Sequence, residues 1–298
     1  MPIYQVIEDR VEAKAIRTTN DLAEVMSLAD IDLDELEADL ITVDQVEVPI
    51  IHHFAPGIYI REARFIKGSF IIGHRHRCSH LNVMLEGYLT LANGLDVTAP
   101  TMFVGQATRK AAVMHTDCVW LNIYATDEQD VGKLEDMFMI KSQAALDQER
   151  AHVEMITEDV LDAREDYLRV VAEIGFTPDE LAERTGVGVS KIPLPWGAYK
   201  FRTAPSPIHG EGIFASAGIA EGEKIGPAHI KGECTVLGHL VNHSNSPNAK
   251  LVPSRFGFDL VAIRDIGGNR GGQFGEEITT DYKASREAVL CAAQFQRQ

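Results

Sequence analysis

The sequence contains no long apolar run and few cysteines. None of its 298 residues lies in a stretch of ~18 consecutive apolar residues, the length that a membrane-spanning helix needs. Its four cysteines, Cys78, Cys118, Cys234 and Cys291, are widely spaced and form no CxxC pair. This spacing is typical of a reducing compartment and predicts no disulfide framework. We therefore expect a cytoplasmic protein with no membrane partner.

Basic residues are scarce relative to acidic ones, and the formal net charge is −16 at pH 7. Residues 1–189 carry 34 acidic and 16 basic side chains, whereas residues 190–298 carry 10 and 12. Because affinity for nucleic acid comes mainly from neutralised phosphates, this excess of negative charge predicts no nucleic-acid partner. The change in charge balance also predicts a domain boundary near residue 190.

Hydrophobic periodicity divides the chain into four segments. Residues 1–55 are predicted to form an acidic, partly helical lead-in, and residues 56–128 alternate as strands do. Residues 129–189 are predicted to be a helical connector. Residues 190–298 return to short strands and glycine-rich turns before a short C-terminal helix. The predicted fold class is mainly β with helical segments.

Three histidines of one parity lie in the stretch GSFIIGHRHRCSHLNVMLEG. His74, His76 and His80 would face the same side of a continuous strand, and imidazoles at i and i+2 can converge on one cation. His115, in KAAVMHTDCVWLNI, is the candidate for a further ligand from a neighbouring strand. The alternative is that these are surface histidines on an edge strand.

The spacing in this stretch resembles the first motif of the cupin family. Gly68 is followed by five residues, then by His74 and His76, after three more residues by His80, and after six more residues by Gly87. The resemblance implies a small cupin-like β-barrel that binds a divalent metal through these three histidines and His115. Because His80 stands where the family usually has glutamate, the ligand set is all nitrogen, which suits Zn, Ni or Fe. Cupins often pair through their sheets, so a homo-oligomer is also a candidate.

Three short stretches stand out in the C-terminal part of the chain. They are SPIHGEGIFAS at 206–216, NHSNSPNA at 242–249 and GEEITTDY at 275–282. Taken singly, each is typical of a turn or a hairpin, since its residues favour turns.

In this order, the three stretches resemble the SET-domain family of protein-lysine methyltransferases. The resemblance covers about residues 195–284 and implies a SET fold, a β-clip in which the closing stretch threads past the NHS stretch as a pseudoknot. The implied cofactor is S-adenosyl-L-methionine, and the implied partner is a protein that presents a lysine. The residues implied to hold the cofactor are Gly210, Glu211, Gly212, Asn242, His243 and Tyr282. The combination with a cupin-like part resembles fused proteins of bacteria and phages, and a phage-encoded chain would act in the host cytoplasm.

The chemistry of methyl transfer accounts for these residue types. The reaction is an in-line displacement in which the protein aligns the two reactants and excludes water. Glycines at 210 and 212 let the backbone approach a cofactor closely. Tyr282 is the implied catalytic residue, and its phenol would orient the reactants, since an unperturbed tyrosine has a pKa of ~10. The polar groups of Asn242 and His243 are predicted to be buried and hydrogen-bonded.

One departure from the SET family leaves two alternatives open. Only residues 226–241 precede the NHS stretch, where many members carry a longer insert that forms a wall of the lysine channel. The chain is therefore alternatively a catalytically weak SET and cupin protein that binds a partner or senses a metal. It is also alternatively a cupin-type metalloenzyme that acts on a small molecule.

Overall fold

Strands dominate the part of the chain that the structure describes. The computed structural model describes residues 32–92, 94–155, 157–180 and 192–286. Most of the predicted lead-in, residues 1–31, and most of the predicted C-terminal helix, residues 287–298, lie outside the described residues. Within those ranges the fold is mainly β with some helices, as the sequence predicts.

The helices of the described part are short, and aspartate or threonine caps several of their N-termini. Asp32, Asp130 and Thr157 each accept hydrogen bonds from backbone N–H groups in the first turn that follows. The helices are α1 (Leu33–Leu40), α2 (Val131–Phe138), α3 (Gln143–Glu154), α4 (Glu158–Glu173) and α5 (Val236–Leu240). None of the helices in the described ranges is long and apolar enough to cross a membrane.

The chain divides into two compact units. Unit 1 comprises Met1–Arg150 with Asn269–Gln273, and unit 2 comprises Ala151–Gly268 with Phe274–Gln298. The division falls inside α3, within the predicted connector, so the connector's two halves belong to different units.

Unit 1 contains two main antiparallel sheets. Its strands are β1 (Ile50–Ala55), β2 (Ile58–Phe65), β3 (Phe70–Ile72), β4 (Arg75–His76), β5 (His80–Glu86), β6 (Tyr88–Leu91), β7 (Asp96–Thr98), β8 (Thr101–Gly105), β9 (Ala111–Met114), β10 (Cys118–Ala125) and β11 (Met139–Ile140). One sheet has the order β1-β2-β10-β5-β8, the other has the order β3-β9-β6-β7, and β4 pairs with β11 separately.

The predicted closed barrel is not formed in the described residues of unit 1. Strand β8 pairs with β5 on one side, and β7 pairs with β6 on one side, so neither sheet returns to its starting strand. The physical reason is that strands of three residues, such as β3 and β7, supply too few ladder hydrogen bonds to connect the two sheets. The result is a pair of open sheets with a core that includes Met84, Leu89 and Trp120.

Unit 2 is built from two further sheets and helix α4. Its strands are β12 (Gly197–Tyr199), β13 (Phe201–Pro205), β14 (Glu211–Ala215), β15 (Lys224–Ile230), β16 (Glu233–Cys234), β17 (Asn242–His243), β18 (Ala249–Ser254), β19 (Gly257–Ala262) and β20 (Glu277–Thr280). One sheet has the order β13-β14-β20-β17, and the other has the order β16-β15-β19-β18. Strand β17 pairs with β20 in parallel, with Asn242 opposite Thr279 and His243 opposite Thr280.

Candidate functional site

Unit 1 encloses a cavity of about 340 Å³. Most of its wall is apolar, with contributions from Val48, Phe65, Leu89, Leu91 and Met114. A smaller part of the wall is polar and includes Arg61, His74, His76, Asn82, Lys110 and Asn122, together with the carboxylates of Glu37 and Asp44. An apolar pocket with a few polar groups is the usual form of a small-molecule site.

A row of polar residues crosses the larger sheet of unit 1 beside this cavity. In the strand register, Arg61 of β2 lies opposite Asn122 of β10, and Asn122 lies opposite Asn82 of β5. Residues directly opposite each other in an antiparallel pair project from the same face of the sheet. The three side chains therefore form one line, and both asparagines are buried.

Hydrogen bonds hold the middle of this row in place. Asn82 Oδ1 accepts a bond of 3.0 Å from Trp120 Nε1 and one of 2.8 Å from Asn122 Nδ2. The glycine at position 105 leaves space for the Asn82 side chain, because a Cβ there would lie 2.2 Å from Asn82 Nδ2 and 3.0 Å from the ring of His80. The Asn82 orientation is thus fixed, and its Nδ2 is buried on the side of the His80 ring, where a hydrogen bond with Asn82 acts to raise the pKa of His80 against the larger effect of burial.

Two of the four predicted metal ligands lie ring to ring. The ring centroids of His76 and His80 are 3.9 Å apart, and His76 Nδ1 is hydrogen-bonded to the Tyr124 hydroxyl at 2.9 Å. Burial, with a further contribution from neighbouring positive charge, lowers the pKa of His76 to about 3. Burial also lowers the pKa of His80. Both rings are therefore neutral near pH 7.

The other two predicted ligands have different surroundings. His74 lines the cavity, and its buried Nδ1 has no hydrogen-bond partner. Burial lowers the pKa of His74 to about 4. His115 follows strand β9, where its Nε2 is hydrogen-bonded to Thr90 Oγ1 at 2.7 Å and its ring stacks on Tyr88.

The described residues do not assemble a four-histidine metal centre. No three His, Cys, Asp or Glu side chains of the described ranges are grouped so that they could hold a metal ion. The expected continuous strand is broken, since His76 ends β4 and His80 begins β5 with bends between them. The predicted set of four ligands is therefore not assembled in this structure, and no chemistry is derived from a metal there.

Two cations face the same cavity without a counter-charge. Arg61 Nε and Lys110 Nζ are buried and have no hydrogen-bond partner, and neither side chain forms an ion pair with a described residue. Their positive charges both disfavour protonation of His76. Burial lowers the pKa of Lys110 as well. The polar part of the wall thus offers buried nitrogen atoms that lack acceptors, in addition to the carboxylates of Glu37 and Asp44.

In unit 2, the NHS stretch and the closing stretch lie side by side as the parallel strands β17 and β20, an arrangement that we call the crossing; threading as a pseudoknot stays a prediction. Asn242 Nδ2 lies 2.8 Å from Glu277 Oε1, 3.0 Å from Ser206 Oγ and 3.1 Å from the carbonyl oxygen of His209. Asn248 Nδ2 donates to the carbonyl of Glu277 at 2.7 Å. One amide thus connects parts of all three C-terminal motifs, and the prediction that Asn242 is buried and hydrogen-bonded is confirmed.

Internal packing accounts for the two glycines of the first motif. Gly210 has a φ of 54° and open space beside it, so it serves a turn. A Cβ at Gly212 would lie 2.4 Å from Glu277 Oε1. Between them, Glu211 is exposed. Their predicted contacts with a cofactor stay predictions.

The side chains of His243 and Tyr282 also have partners within unit 2. His243 Nδ1 accepts a hydrogen bond of 3.1 Å from the backbone N–H of Tyr282, and its Nε2 lies 2.6 Å from Asp166 Oδ2 on α4. The Tyr282 hydroxyl donates to the carbonyl of Val241 at 3.1 Å, and burial raises the pKa of this phenol. The side-chain nitrogens of Asn242 and His243 are thus already bonded within the unit, and the predicted role of these residues and Tyr282 in holding the cofactor stays a prediction.

The sequence interpretation missed the polar row and the two cations. A signal for the asparagines is present, because Asn82 in HLNVMLE and Asn122 in CVWLNIYA occupy the inward parity of otherwise apolar strands. Arg61 and Lys110 carry no comparable signal, since a single basic residue in a strand or loop is usually exposed.

Comparison with solved structures finds similarity over part of the chain. No protein-family model and no curated protein matches it. A solved cupin superfamily protein from Desulfitobacterium hafniense shares 18% identity over 30% of this chain and 87% of its own, with a TM-score of 0.23. A cupin-2 domain containing protein from Shewanella frigidimarina shares 12% identity over 34% of this chain and 99% of its own, with a TM-score of 0.23. An acetylacetone dioxygenase from Acinetobacter johnsonii shares 10% identity over 26% of this chain and 58% of its own, with a TM-score of 0.22.

These likenesses are to cupin-fold proteins over a partial stretch, and at such TM-scores they carry no argument about function. The comparisons give no support to a SET domain or to methyltransferase activity.

Proposed function

We propose that unit 1 is a cupin-type pocket that binds a small molecule. The observation that carries this proposal is the cavity of about 340 Å³, which is apolar over most of its wall and polar at one part. Its volume lies at the lower end of the ~300–1,000 Å³ found for ligand sites. A dry, apolar packing defect would not combine such a wall with buried nitrogen atoms that lack partners.

The unpartnered nitrogens favour a bound ligand over an empty core. A buried polar group without a hydrogen bond costs about 1–3 kcal/mol, and Arg61, His74 and Lys110 all contribute such atoms. The cost falls when a ligand supplies the missing acceptors. The histidines enter this proposal as neutral hydrogen-bonding groups, and a metal at His74, His76, His80 and His115 stays a prediction that metal analysis of untagged protein tests.

Cavity-filling variants test the pocket. Ala112 and Ala145 line the cavity, so leucine at either position reduces its volume from a different element. We expect compounds that raise the melting temperature of the wild-type protein to lose this effect in Ala112→Leu and in Ala145→Leu. Ala107→Leu, at an exposed position, is the matched control and keeps it. Equal stabilisation of all four proteins would contradict the proposal.

A second candidate is methyl transfer from S-adenosyl-L-methionine to a protein lysine in unit 2. The observation that favours it is the crossing, in which Asn242 connects Ser206 and Glu277 and the Tyr282 hydroxyl is held by the carbonyl of Val241. S-adenosyl-L-methionine would supply the methyl group. No step through it is derived, because the side-chain nitrogens expected to hold it have internal partners.

Labelled cofactor and a cell lysate test this candidate. Transfer of label to protein lysine by the wild type, and its loss in Tyr282→Phe, is the expected result. Tyr199→Phe is the matched control, since it also removes one internal hydroxyl bond, to the carbonyl of Pro195 at 2.7 Å, in the same unit. Absence of labelled lysine with the wild type, or equal loss in both variants, removes the candidate.

A further inference from the structure

The charge at the polar part of the unit 1 cavity is unbalanced. Lys110 and Arg61 both line the cavity, and neither forms a hydrogen bond or an ion pair with a described residue. A buried cation without a counter-charge is strongly disfavoured. Within the described residues, therefore, neither of these two positive groups has a carboxylate in ion-pair contact.

The carboxylates of the lining do not neutralise these cations. Glu37 and Asp44 contribute to the wall, but Glu37 is bound by Arg109 Nη2 at 2.6 Å, and Asp44 forms no ion pair with either cation. Because Glu37 is paired with Arg109, no carboxylate of the described residues forms an ion pair with Lys110 or Arg61. A ligand that brings one negative charge completes the site.

Neutral donors lie beside the two cations. His74 Nδ1 is buried without a partner among the described residues, and both His74 and the Asn82 amide line the same cavity. An oxyanion accepts hydrogen bonds from such N–H groups and from cations together, and these charge-assisted bonds are the stronger ones. The remaining wall is apolar, with Leu89, Leu91 and Met114 among its residues, and it suits an uncharged hydrocarbon body.

We propose that the unit 1 cavity recognises a small organic monocarboxylate, whose carboxylate is bound by Lys110 and Arg61 and whose apolar body lies against the hydrophobic wall. This inference rests on the proposed pocket and names its ligand class. It differs from a metal site, because two cations repel a divalent ion and attract an anion.

Calorimetric titration with matched probes tests the ligand class. Phenylacetate carries the proposed carboxylate, phenylacetamide has nearly the same shape without the charge, and inorganic phosphate has charge without an apolar body. We expect the wild-type protein to bind phenylacetate at least about tenfold more tightly than phenylacetamide, and not to bind phosphate, since a desolvated charge pair contributes strongly to affinity.

Charge-removing variants locate the carboxylate. Lys110→Met and Arg61→Met each weaken phenylacetate binding by about tenfold or more and leave phenylacetamide binding unchanged. Lys67→Met and Arg75→Met, at exposed positions, are the matched controls and bind as the wild type does. Melting curves without ligand show that each variant is folded, and Lys110→Met is expected to melt higher than the wild type because an unpaired buried cation is gone.

The outcomes separate this inference from the proposed pocket. Equal affinity for the acid and the amide, with both abolished by Ala112→Leu, would overturn the carboxylate and keep the pocket. Binding of phosphate as tight as that of phenylacetate would overturn the apolar part of the site. Absence of binding by either phenyl probe, with a normal melting curve, would overturn both proposals.

Discussion

At the scale of single residues, the central feature is the polar row inside unit 1. Asn82, Asn122 and Arg61 occupy inward positions that strands normally give to apolar side chains. Asn122 Nδ2 donates a hydrogen bond to Asn82 Oδ1, and Trp120 Nε1 donates a second one to the same oxygen. Polar groups buried in such a line specify one arrangement of the strands, and those left without partners mark where a ligand binds.

Gly105 should not tolerate a side chain. In Gly105→Ala, the new Cβ would meet Asn82 Nδ2 at 2.2 Å, so the polar row has to shift. We expect the free energy of unfolding to fall by about 1–3 kcal/mol, as for other overpacked sites, with loss of ligand binding. Urea unfolding measures the change.

Gly73→Ala is the control for this substitution. Gly73 also lines the cavity, but its φ is not positive and its Cβ would meet only the carbonyl oxygen of Lys110 at 3.5 Å, an ordinary contact. Its stability is expected to equal or exceed that of the wild type, because alanine restricts the unfolded chain. Equal destabilisation by both substitutions would contradict the account of Gly105.

Glu277 should make the protein less stable as the pH rises from about 4.5 to 6. Burial raises the pKa of Glu277 from 4.5 to about 6, so in this window the folded protein binds more protons than the unfolded chain. The shift corresponds to about 2 kcal/mol. The measurement is the free energy of unfolding of the wild type minus that of Glu277→Gln at each pH. This difference should fall as the pH rises from about 4.5 to 6 and stay constant above that window.

The neighbouring Glu276 supplies the opposite sign. Burial acts to raise its pKa, but hydrogen bonds from Arg264 and Asn248 outweigh it, so the pKa of Glu276 is lowered. The same subtraction with Glu276→Gln should show wild-type stability present above the unfolded pKa of 4.5 and lost as the pH falls. Curves of the same sign for both variants would refute the assignment.

At the scale of elements, helix α4 is fastened to the motifs of unit 2. Arg164 Nε donates to the carbonyl of Pro207, Asp166 binds His243 at 2.6 Å, and Tyr167 stacks on His209 with centroids 4.5 Å apart. These contacts lie on one side of the helix and reach the first two motifs. The helix is therefore part of the structure that holds the crossing together.

Tyr167 should be the residue of α4 that contributes most to stability. Its side chain is 2% exposed, whereas Leu168 on the same helix is 53% exposed. We expect Tyr167→Ala to lower the free energy of unfolding by about 3–5 kcal/mol. Leu168→Ala should change it by about 0.5 kcal/mol or less. Thermal unfolding of both variants tests this, and similar losses would show that α4 is not packed as described.

The sequence predicts some elements well and others poorly, for physical reasons. Thr177 and Glu180 form the reciprocal bonds of a capping box, a pattern that depends only on neighbours in sequence. The run from His74 to His80 alternates like one strand, yet bends divide it between β4 and β5, because pairing partners in other parts of the chain decide where a strand ends.

The candidate site divides in the same way. Asn242 was identified from its motif, and the residues to which it is hydrogen-bonded, Ser206 and Glu277, also lie in the C-terminal motifs. Lys110 was not, since the cavity that surrounds it is made by residues from many separate elements. A basic residue in a single sequence carries no sign of such surroundings.

At the scale of the whole molecule, negative charge dominates, with a formal net charge of −16. Long-range repulsion of this size disfavours polyanions, although a small anion in a lined cavity is governed by the charges nearest to it. A negative net charge and an anion-binding cavity can coexist, because salt screens the repulsion from distant charges beyond about 8 Å at physiological ionic strength.

The charge predicts that the protein does not bind nucleic acid. Titration of labelled double-stranded DNA at physiological salt should show no change in fluorescence anisotropy, since too few phosphates are neutralised to release counterions. Binding that weakens steadily as salt is added would contradict this prediction.

The central claim is that the unit 1 cavity holds an organic carboxylate at Lys110 and Arg61. A crystal structure of the protein with 4-bromophenylacetate tests it most directly, because the anomalous signal of bromine locates one end of the ligand. The account predicts the bromine against Leu89, Leu91 or Met114 and the carboxylate within hydrogen-bond distance of Lys110 Nζ. Bromine outside the cavity, or a carboxylate directed away from both cations, would contradict it.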